Sequence, residues 1–321
     1  AGMADLIGLV DETELNAMVI DVKNDEGNVT FRLTNEEITE NIPVLDQISE
    51  MQAGERYIRD IQALMQELKD HNIYTIARIV CFKDPILAAA RPELALTKPD
   101  GKPVTDANGL AWVNPYRQEV WEYLTELAEM AADLGFDEIQ FDYIRFSTEK
   151  GIGDVVYDEA DVRGRDKKTV ITEFVQYASE KLKDEGAFVA ADVFGAVMGG
   201  GIDSDTVGQS YGDMANQLDY ICPMIYPSHY GDGNFGIEHP DTQPYDTILA
   251  ALQLSREDLS GYETEGQDQA AVRPWLQDFT ASYLKNHIKY GNDEIRAQIQ
   301  AVYDAGYEEW LLWSAACNYH W

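Results

Sequence analysis

Two aspartates stand at the ends of strand-like segments and could act as a pair of catalytic carboxylates. Asp142 is the last of three polar residues, after Glu138 and Gln140, that alternate with apolar residues in the segment GFDEIQFDYIRF. Asp192 ends the apolar run of AFVAADVFG. Paired carboxylates suit the hydrolysis of a glycosidic bond, because one protonates the leaving oxygen and the other attacks the anomeric carbon or activates water. We assign Asp142 as nucleophile or base and Asp192 as the acid.

The sequence around the two aspartates supports these different roles. Arg145 lies three residues after Asp142 and would keep that carboxylate ionised, as a nucleophile requires. A general acid needs a drier and less cationic setting, and the sequence near Asp192 carries no basic residue. Glu138 lies lower in its segment and is interpreted as a paired group inside the fold, since an unpaired buried carboxylate is costly.

Polar and aromatic side chains recur at the ends of the other strand-like segments and could position a substrate. The candidate substrate-binding residues are Asp21, Lys23, Arg78, Arg145, Tyr226, Trp275, Gln277, Trp313 and Asn318. The faces of Tyr and Trp rings can stack on the apolar faces of sugar rings, which buries area without demanding charge. The sequence therefore predicts a carbohydrate as the substrate.

The composition excludes several classes of partner and cofactor. The 321 residues include 58 acidic and 24 basic side chains, and the net charge of −34 argues against nucleic acid and anionic lipid surfaces. This charge favours solubility first and a neutral or cationic substrate second. The five histidines and three cysteines show no HxH, HExxH or CxxC spacing, so we expect no metal and no cofactor. No apolar run is long enough for a membrane helix, and no signal peptide opens the sequence.

Amphipathic helical patterns alternate with apolar strands along the chain. The helical patterns lie at 57–70, 115–134, 169–185 and 292–305. The seven predicted strands lie at 16–22, 73–80, 138–143, 187–193, 219–226, 272–279 and 308–313. The long loops after strands lie at 24–56, 83–113, 195–210 and 227–270. Short helix-to-strand turns combined with long strand-to-helix loops are typical of parallel βα units.

This order of elements fits a (β/α)8 TIM barrel best, as one domain over residues 1–321 with long βα loops. An open, doubly wound sheet is the alternative, although MGGG at 198–201 has neither spacing of a nucleotide-binding loop. The first strand of the barrel is missing, because ADLIGLVDET indicates a helix that leads directly into NAMVIDVKND.

Strand parity predicts which side chains line such a barrel. Ile139, Phe141 and Tyr143 would face the helices, and the alternate polar residues would point inside. Asp142 would then lie at the C-terminal mouth, where barrels of this class hold their active sites. We expect Asp142 and Asp192 to come together at this rim. The separation of their carboxyl groups would decide between a retaining and an inverting reaction.

Eight segments, in order, resemble a bacterial family of glycosyl hydrolase domains. The resemblance is carried by NAMVIDVKND, ARIVCFKD, WVNP, GFDEIQFDYIRF, ADVFG, ICPMIYPSHY, RPWLQDF and LLW…NY, and it covers nearly the whole chain. It implies a glycosidase-like TIM barrel related to the α-amylase superfamily, extracellular or associated with the cell envelope. By analogy with α-amylase-type barrels, Asp142 matches the nucleophile. Asp192 matches the acid/base, where those enzymes carry glutamate.

Three alternatives stay open on the sequence alone. The chitinase-type pattern DGxDxDxE is similar to GFDEIQFDY, but its glutamate position is Ile144 here, which argues against that mechanism. A non-catalytic carbohydrate-binding barrel of the cell envelope would keep the polar mouth without a competent acid. A metal- or phosphate-dependent barrel enzyme would need clustered histidines or a glycine loop. The segment TASYLKNHIKYGN offers only Lys285, His287 and Lys289 for that purpose.

Overall fold

The computed structural model describes residues 2–31 and 57–321, and the predicted loop at 24–56 lies partly outside them. The helices are α1 Met3–Glu12, α2 Ile61–Asp70, α3 Pro85–Ala90, α4 Gln118–Asp133, α5 Glu159–Val162, α6 Lys167–Leu182, α7 Ile202–Val207, α8 Tyr211–Ala215, α9 Pro244–Ser260 and α10 Asn292–Asp304. The strands are β1 Ala17–Lys23, β2 Tyr74–Val80, β3 Glu138–Asp142, β4 Phe188–Phe194, β5 Tyr220–Met224, β6 Ala271–Val272, β7 Trp275–Gln277 and β8 Leu311–Trp313. Short 3₁₀ turns lie at Pro92–Leu94, Ile152–Asp154, Gly195–Val197, Pro227–His229, Asn234–Gly236 and Pro240–Thr242.

The chain divides into two compact units. The N-terminal unit comprises Leu15–Ala191 and Asp205–Gln209. The C-terminal unit comprises Ala1–Glu14, Asp192–Ser204 and Ser210–Trp321. The assignment of the chain to one domain stays a prediction.

The N-terminal unit is built on parallel strands in the order β1, β2, β3 and the part of β4 up to Ala191. Asp21 on β1 lies opposite Arg78 on β2, and Arg78 lies opposite Gln140 on β3. Phe141, on the other parity of β3, packs against Phe174 of α6 with ring centroids 5.7 Å apart. The polar and apolar faces of these strands therefore follow the predicted parity.

The C-terminal unit pairs β5 with β6 and β7, and β7 with β8, all in parallel. The strand predicted at 272–279 is broken, since β6 ends at Val272 and β7 begins at Trp275. Pro274 lies in this break and has no N–H to donate to a strand ladder. No strand precedes α1 within the described residues, as the sequence predicts.

The helix predicted from residue 115 begins later, at Gln118. The side chain of Asn114 accepts the N–H of Tyr116 at 3.0 Å and so closes a turn before the helix. The Trp121 indole donates to the Pro115 carbonyl at 2.8 Å and ties this turn to α4. Asn114 therefore caps a turn that leads into the helix rather than the helix itself.

Candidate active site

Arg78, on β2, is bonded to three carboxylates of the N-terminal unit. Its Nε donates to Asp142 Oδ2 at 2.8 Å, and its Nη2 forms an ion pair with the same oxygen at 2.7 Å. Nη1 donates to Asp21 Oδ1 and Nη2 also donates to Asp25 Oδ1, each at 2.9 Å. Burial alone disfavours the charge of the guanidinium, but the carboxylates outweigh it and raise the pKa of Arg78 above its ordinary value. The strand register explains the cluster, because Asp21 lies opposite Arg78 and Asp142 lies opposite Val80, two residues farther.

Asp142 is held on both carboxylate oxygens. Oδ2 accepts the Arg78 Nε bond and pairs with Nη2, and Oδ1 accepts the backbone N–H of Tyr143 at 2.6 Å. The salt bridge to Asp142 thus comes from the neighbouring strand. Arg145, the partner that the sequence predicts, lies over the Trp112 ring, 4.8 Å from its centroid, and interacts with Asp142 through its charge. Burial lowers the pKa of Arg145.

Tyr143 leaves the strand with a left-handed backbone, at a φ of 50°. Such a φ is rare for a bulky residue and marks a strained position. The prediction that Tyr143 faces the helices is therefore wrong. Its ring lies 5.7 Å from Trp112, and the Lys83 ammonium lies 5.1 Å from the ring centroid. Burial, together with the charges of Asp25 and Asp142, raises the pKa of Tyr143.

Lys23 is fully buried beneath this cluster. Its ammonium donates to the Val80 carbonyl at 2.6 Å and pairs with Asp84 Oδ2 at 2.9 Å. Asp84 Oδ1 accepts the Leu87 N–H at 2.8 Å and so caps α3. Gly27 has a φ of 83° and packs directly against Asp84. A Cβ at this position would lie 2.5 Å from Asp84 Oδ1, so the close approach requires a glycine. These contacts support a structural role for Lys23, and its contact with substrate stays a prediction.

Asp25 is a member of the cluster that sequence reasoning missed. It lies in a turn after β1, in which Asn24 Oδ1 accepts the N–H groups of Glu26 and Asn28 at 3.1 and 2.9 Å. The signal is the run NDEGN directly after an apolar strand, because Asn, Asp and Gly are turn formers. Polar residues that follow a strand of a parallel unit lie at the end where such folds place their sites.

The charges around Asp25 set its protonation. Burial raises its pKa, but the charges of Arg78 and Lys83 and hydrogen bonding by Arg78 and the Tyr143 phenol outweigh it and hold the pKa of Asp25 below its ordinary 3.8. The side chain is nevertheless 40% exposed, against 10% for Asp142. Asp25 therefore presents an ionised carboxylate to solvent beside Asp142.

In the C-terminal unit, Asp192 is held by an aromatic side chain. Its Oδ1 accepts the Trp275 indole N–H at 2.7 Å, and the residue is 2% exposed. The Trp275 ring meets Trp313 edge-to-face, with centroids 6.1 Å apart. Trp313 is 37% exposed and offers a face for stacking.

Gln277 is fully buried and fastens the loop after β5. Its Oε1 accepts the Ser228 N–H at 3.0 Å, and its Nε2 donates to Asp241 Oδ1 at 2.9 Å and to the Phe279 carbonyl at 3.1 Å. Tyr226 packs edge-on against Phe279 at 5.9 Å. Gln277 therefore connects the loop after β5 with the residues that follow β7, and Tyr226 packs beside them.

Asn318 lies in an exposed segment that follows β8. Its backbone N–H donates to Ser314 Oγ at 3.3 Å. Asp278, directly after β7, holds the end of this segment, because its oxygens lie 2.8 Å from the His320 N–H and 2.6 Å from His320 Nδ1. Sequence reasoning left both members of this pair without a role.

Six of the eleven predicted site residues thus form two clusters. Asp21, Arg78 and Asp142 are in direct contact in the N-terminal unit, while Asp192, Trp275 and Trp313 are in contact in the C-terminal unit. The predicted convergence of Asp142 with Asp192 stays a prediction. Along residues 2–31 and 57–321, no three or more His, Cys, Asp or Glu side chains form a group that could hold a metal ion.

A family model described as "Putative glycosyl hydrolase domain" matches residues 1–319. The chain belongs to this family of glycosyl hydrolase domains. The resemblance seen in the eight sequence segments is thereby confirmed, while the link to the α-amylase superfamily stays a prediction. No curated protein sequence matches the chain.

Solved structures place this glycosyl hydrolase domain among known folds. A hypothetical protein from Ruminiclostridium thermocellum is 35% identical, over 59% of this chain and 90% of that one, with a TM-score of 0.49. The PgaB (BpsB) glycoside hydrolase domain from Bordetella bronchiseptica is 13% identical, over 93% and 94% of the two chains, with a TM-score of 0.53. The spore cortex-lytic enzyme SleL from Bacillus megaterium is 11% identical, over 95% and 71%, with a TM-score of 0.50. The last two similarities confirm the (β/α)8-barrel class of the fold.

Within the described part of the glycosyl hydrolase domain, no helix has the length and apolar character needed to span a membrane.

Proposed function

We propose that the protein is a glycoside hydrolase that cleaves O-glycosyl bonds of a poly- or oligosaccharide, with Asp142 as nucleophile or base. The contact between Arg78 and Asp142 is the observation that carries the proposal. Arg78 Nε donates to Asp142 Oδ2 and Nη2 pairs with the same oxygen, so this carboxylate is held in a fixed position beside a cation. Membership of a glycosyl hydrolase family supports the reaction class.

Asp192 is proposed as the general acid. Its carboxyl group is buried and accepts a hydrogen bond from the Trp275 indole, whereas Asp142 is paired with a guanidinium. Because burial favours the protonated form of a carboxyl group, the buried Asp192 suits the role of proton donor.

The substrate is proposed to be a sugar chain that uses an aromatic face and exposed carboxylates. Trp313 is exposed on one side and supported by Trp275 on another, as a stacking platform requires. The Asp21 side chain is 44% exposed while Arg78 holds one of its oxygens, so the other oxygen can accept from sugar hydroxyls. Cleavage of a polysaccharide fits a location outside the cell or at its envelope.

Reducing-end release from a panel of purified polysaccharides tests this function. We expect the wild-type protein to release reducing ends from at least one of them and Asp142→Asn to be slower by at least about a hundredfold, the scale of acid–base catalysis. Asp154→Asn is the matched control, because Asp154 is exposed and the exchange removes the same charge. If neither protein releases sugar and both bind a glycan equally well, the protein is a carbohydrate-binding barrel instead.

A further inference from the structure

We propose that Asp25 is a second catalytic carboxylate of the Asp142 site and contacts the sugar ring at which cleavage occurs. This inference rests on the proposed function. Strand parity does not point to Asp25, which lies in the turn after β1.

One nitrogen joins the two carboxylates. Arg78 Nη2 lies 2.7 Å from Asp142 Oδ2 and 2.9 Å from Asp25 Oδ1, so these oxygens are no farther apart than the sum of the two distances. This largest possible distance between the two oxygens is comparable with the roughly 5–5.5 Å between the carboxyl groups of retaining glycosidases. A sugar ring that reaches Asp142 therefore reaches Asp25 as well.

Accessibility favours Asp25 as a group that touches the substrate. Asp142 has donors on both oxygens and a side chain that is 10% exposed. The Asp25 side chain is 40% exposed, and its second oxygen lies 4.0 Å from the Lys83 ammonium. Arg78 and Lys83 also hold the pKa of Asp25 below 3.8, so the group is an anion near neutral pH and cannot be the proton donor.

The role that fits an exposed and fixed anion is electrostatic. The transition state of glycoside hydrolysis resembles an oxocarbenium ion, with positive charge on the anomeric carbon and the ring oxygen. A preoriented carboxylate beside this charge stabilises it more than water does, because it does not have to reorient during the reaction. Asp25 is oriented in advance by Arg78 and by the Asn24 turn.

Asp25→Asn tests the assignment on a polysaccharide that the wild-type protein cleaves. We expect kcat to fall by at least about a hundredfold with little change in KM, because the lost interaction acts in the transition state. Glu26→Gln is the matched control, since Glu26 is the exposed next residue of the same turn and its change removes the same charge. The control should stay within about threefold of wild type in kcat.

A second variant separates catalysis from folding. In Asp25→Ala, added formate can enter the vacated space and replace the carboxylate, and we expect it to restore part of kcat. Wild-type activity together with full activity of Asp25→Asn would overturn the inference and leave the proposed function intact. Loss of folding in both variants, or an inactive Asp25→Ala that formate does not rescue, would also overturn it. A wild-type protein that cleaves no glycan would end the proposed function, and this inference with it.

Discussion

The two units hold their acidic side chains in chemically different ways. In the N-terminal unit, Asp21, Asp25 and Asp142 surround one guanidinium. In the C-terminal unit, Asp192 accepts from an indole and Asp241 from an amide. An ion pair fixes the charge of its members, whereas a neutral hydrogen bond fixes their position with a smaller electrostatic effect. The difference teaches that one guanidinium gathers three carboxylates in the first unit, whereas in the second unit an indole and an amide each position a single carboxylate.

The largest expected effect comes from removing the cation of the N-terminal cluster. Arg78→Met leaves Asp142 buried without its guanidinium, and loss of one member of a buried pair typically costs about 3–5 kcal/mol. We therefore expect the free energy of unfolding, measured by urea titration, to fall by about this amount. The lost ion pairs with Asp21 and Asp25, whose side chains are half exposed, should add little to this fall.

The exposed Arg59→Met is the control for Arg78→Met and should change the unfolding free energy by less than about 0.5 kcal/mol. Arg78→Lys keeps the positive charge but lacks the planar guanidinium with its several N–H donors. Its loss of unfolding free energy should therefore lie between those of Arg78→Met and Arg59→Met. A loss below about 1 kcal/mol for Arg78→Met would mean that water reaches Asp142 freely.

Part of this arrangement could be predicted from the sequence. The period of two in GFDEIQFDYIRF predicted that Glu138 and Asp142 share one face of β3, and the break at Pro274 carried a signal in the proline itself. The partner of Asp142 could not be predicted in this way. Arg78 is 64 residues away, and it meets Asp142 only through the register of β2 with β3.

Tyr143 shows a second limit of sequence reasoning. Its parity assigned it to the helices, but the strand ends at Asp142 and the next residue adopts a left-handed backbone. Nothing in the side chain of tyrosine favours that conformation, which persists because Trp112 and Lys83 fix the ring. Strained positions of this kind depend on tertiary contacts, so periodicity does not reveal them.

An intermediate effect is expected from the neutral network of the C-terminal unit. Gln277→Leu keeps the size of the side chain but removes the amide, which leaves the Ser228 N–H and Asp241 without this partner. Buried polar groups that lose a hydrogen bond cost about 1–3 kcal/mol, and we expect the free energy of unfolding to fall within that range.

Gln300→Leu removes the same amide from an exposed site, where it donates to Asp304, and should cost less than about 0.5 kcal/mol. Raising the salt concentration from 0.1 to about 1 M should change the Gln277→Leu effect little, since screening acts on charges. Equal losses of unfolding free energy for Gln277→Leu and Arg78→Met would mean that the Gln277 hydrogen bonds and the Arg78 ion pairs stabilise the fold to the same extent.

The smallest expected effect is a dependence of stability on pH that Asp25 contributes. Its pKa is lower in the folded protein than the ordinary 3.8, so its stabilising contribution is complete above that pH and is lost as the pH falls through the folded value. Since the side chain is 40% exposed, the contribution is small. The groups that face it are Arg78, Lys83 and Tyr143. Urea unfolding of wild type and Asp25→Asn at pH 5 and pH 3 should show a difference that shrinks at the lower pH. A difference that is constant or grows would show that Arg78 and Lys83 do not hold Asp25 as an anion, which is the property that separates the N-terminal cluster from the C-terminal one.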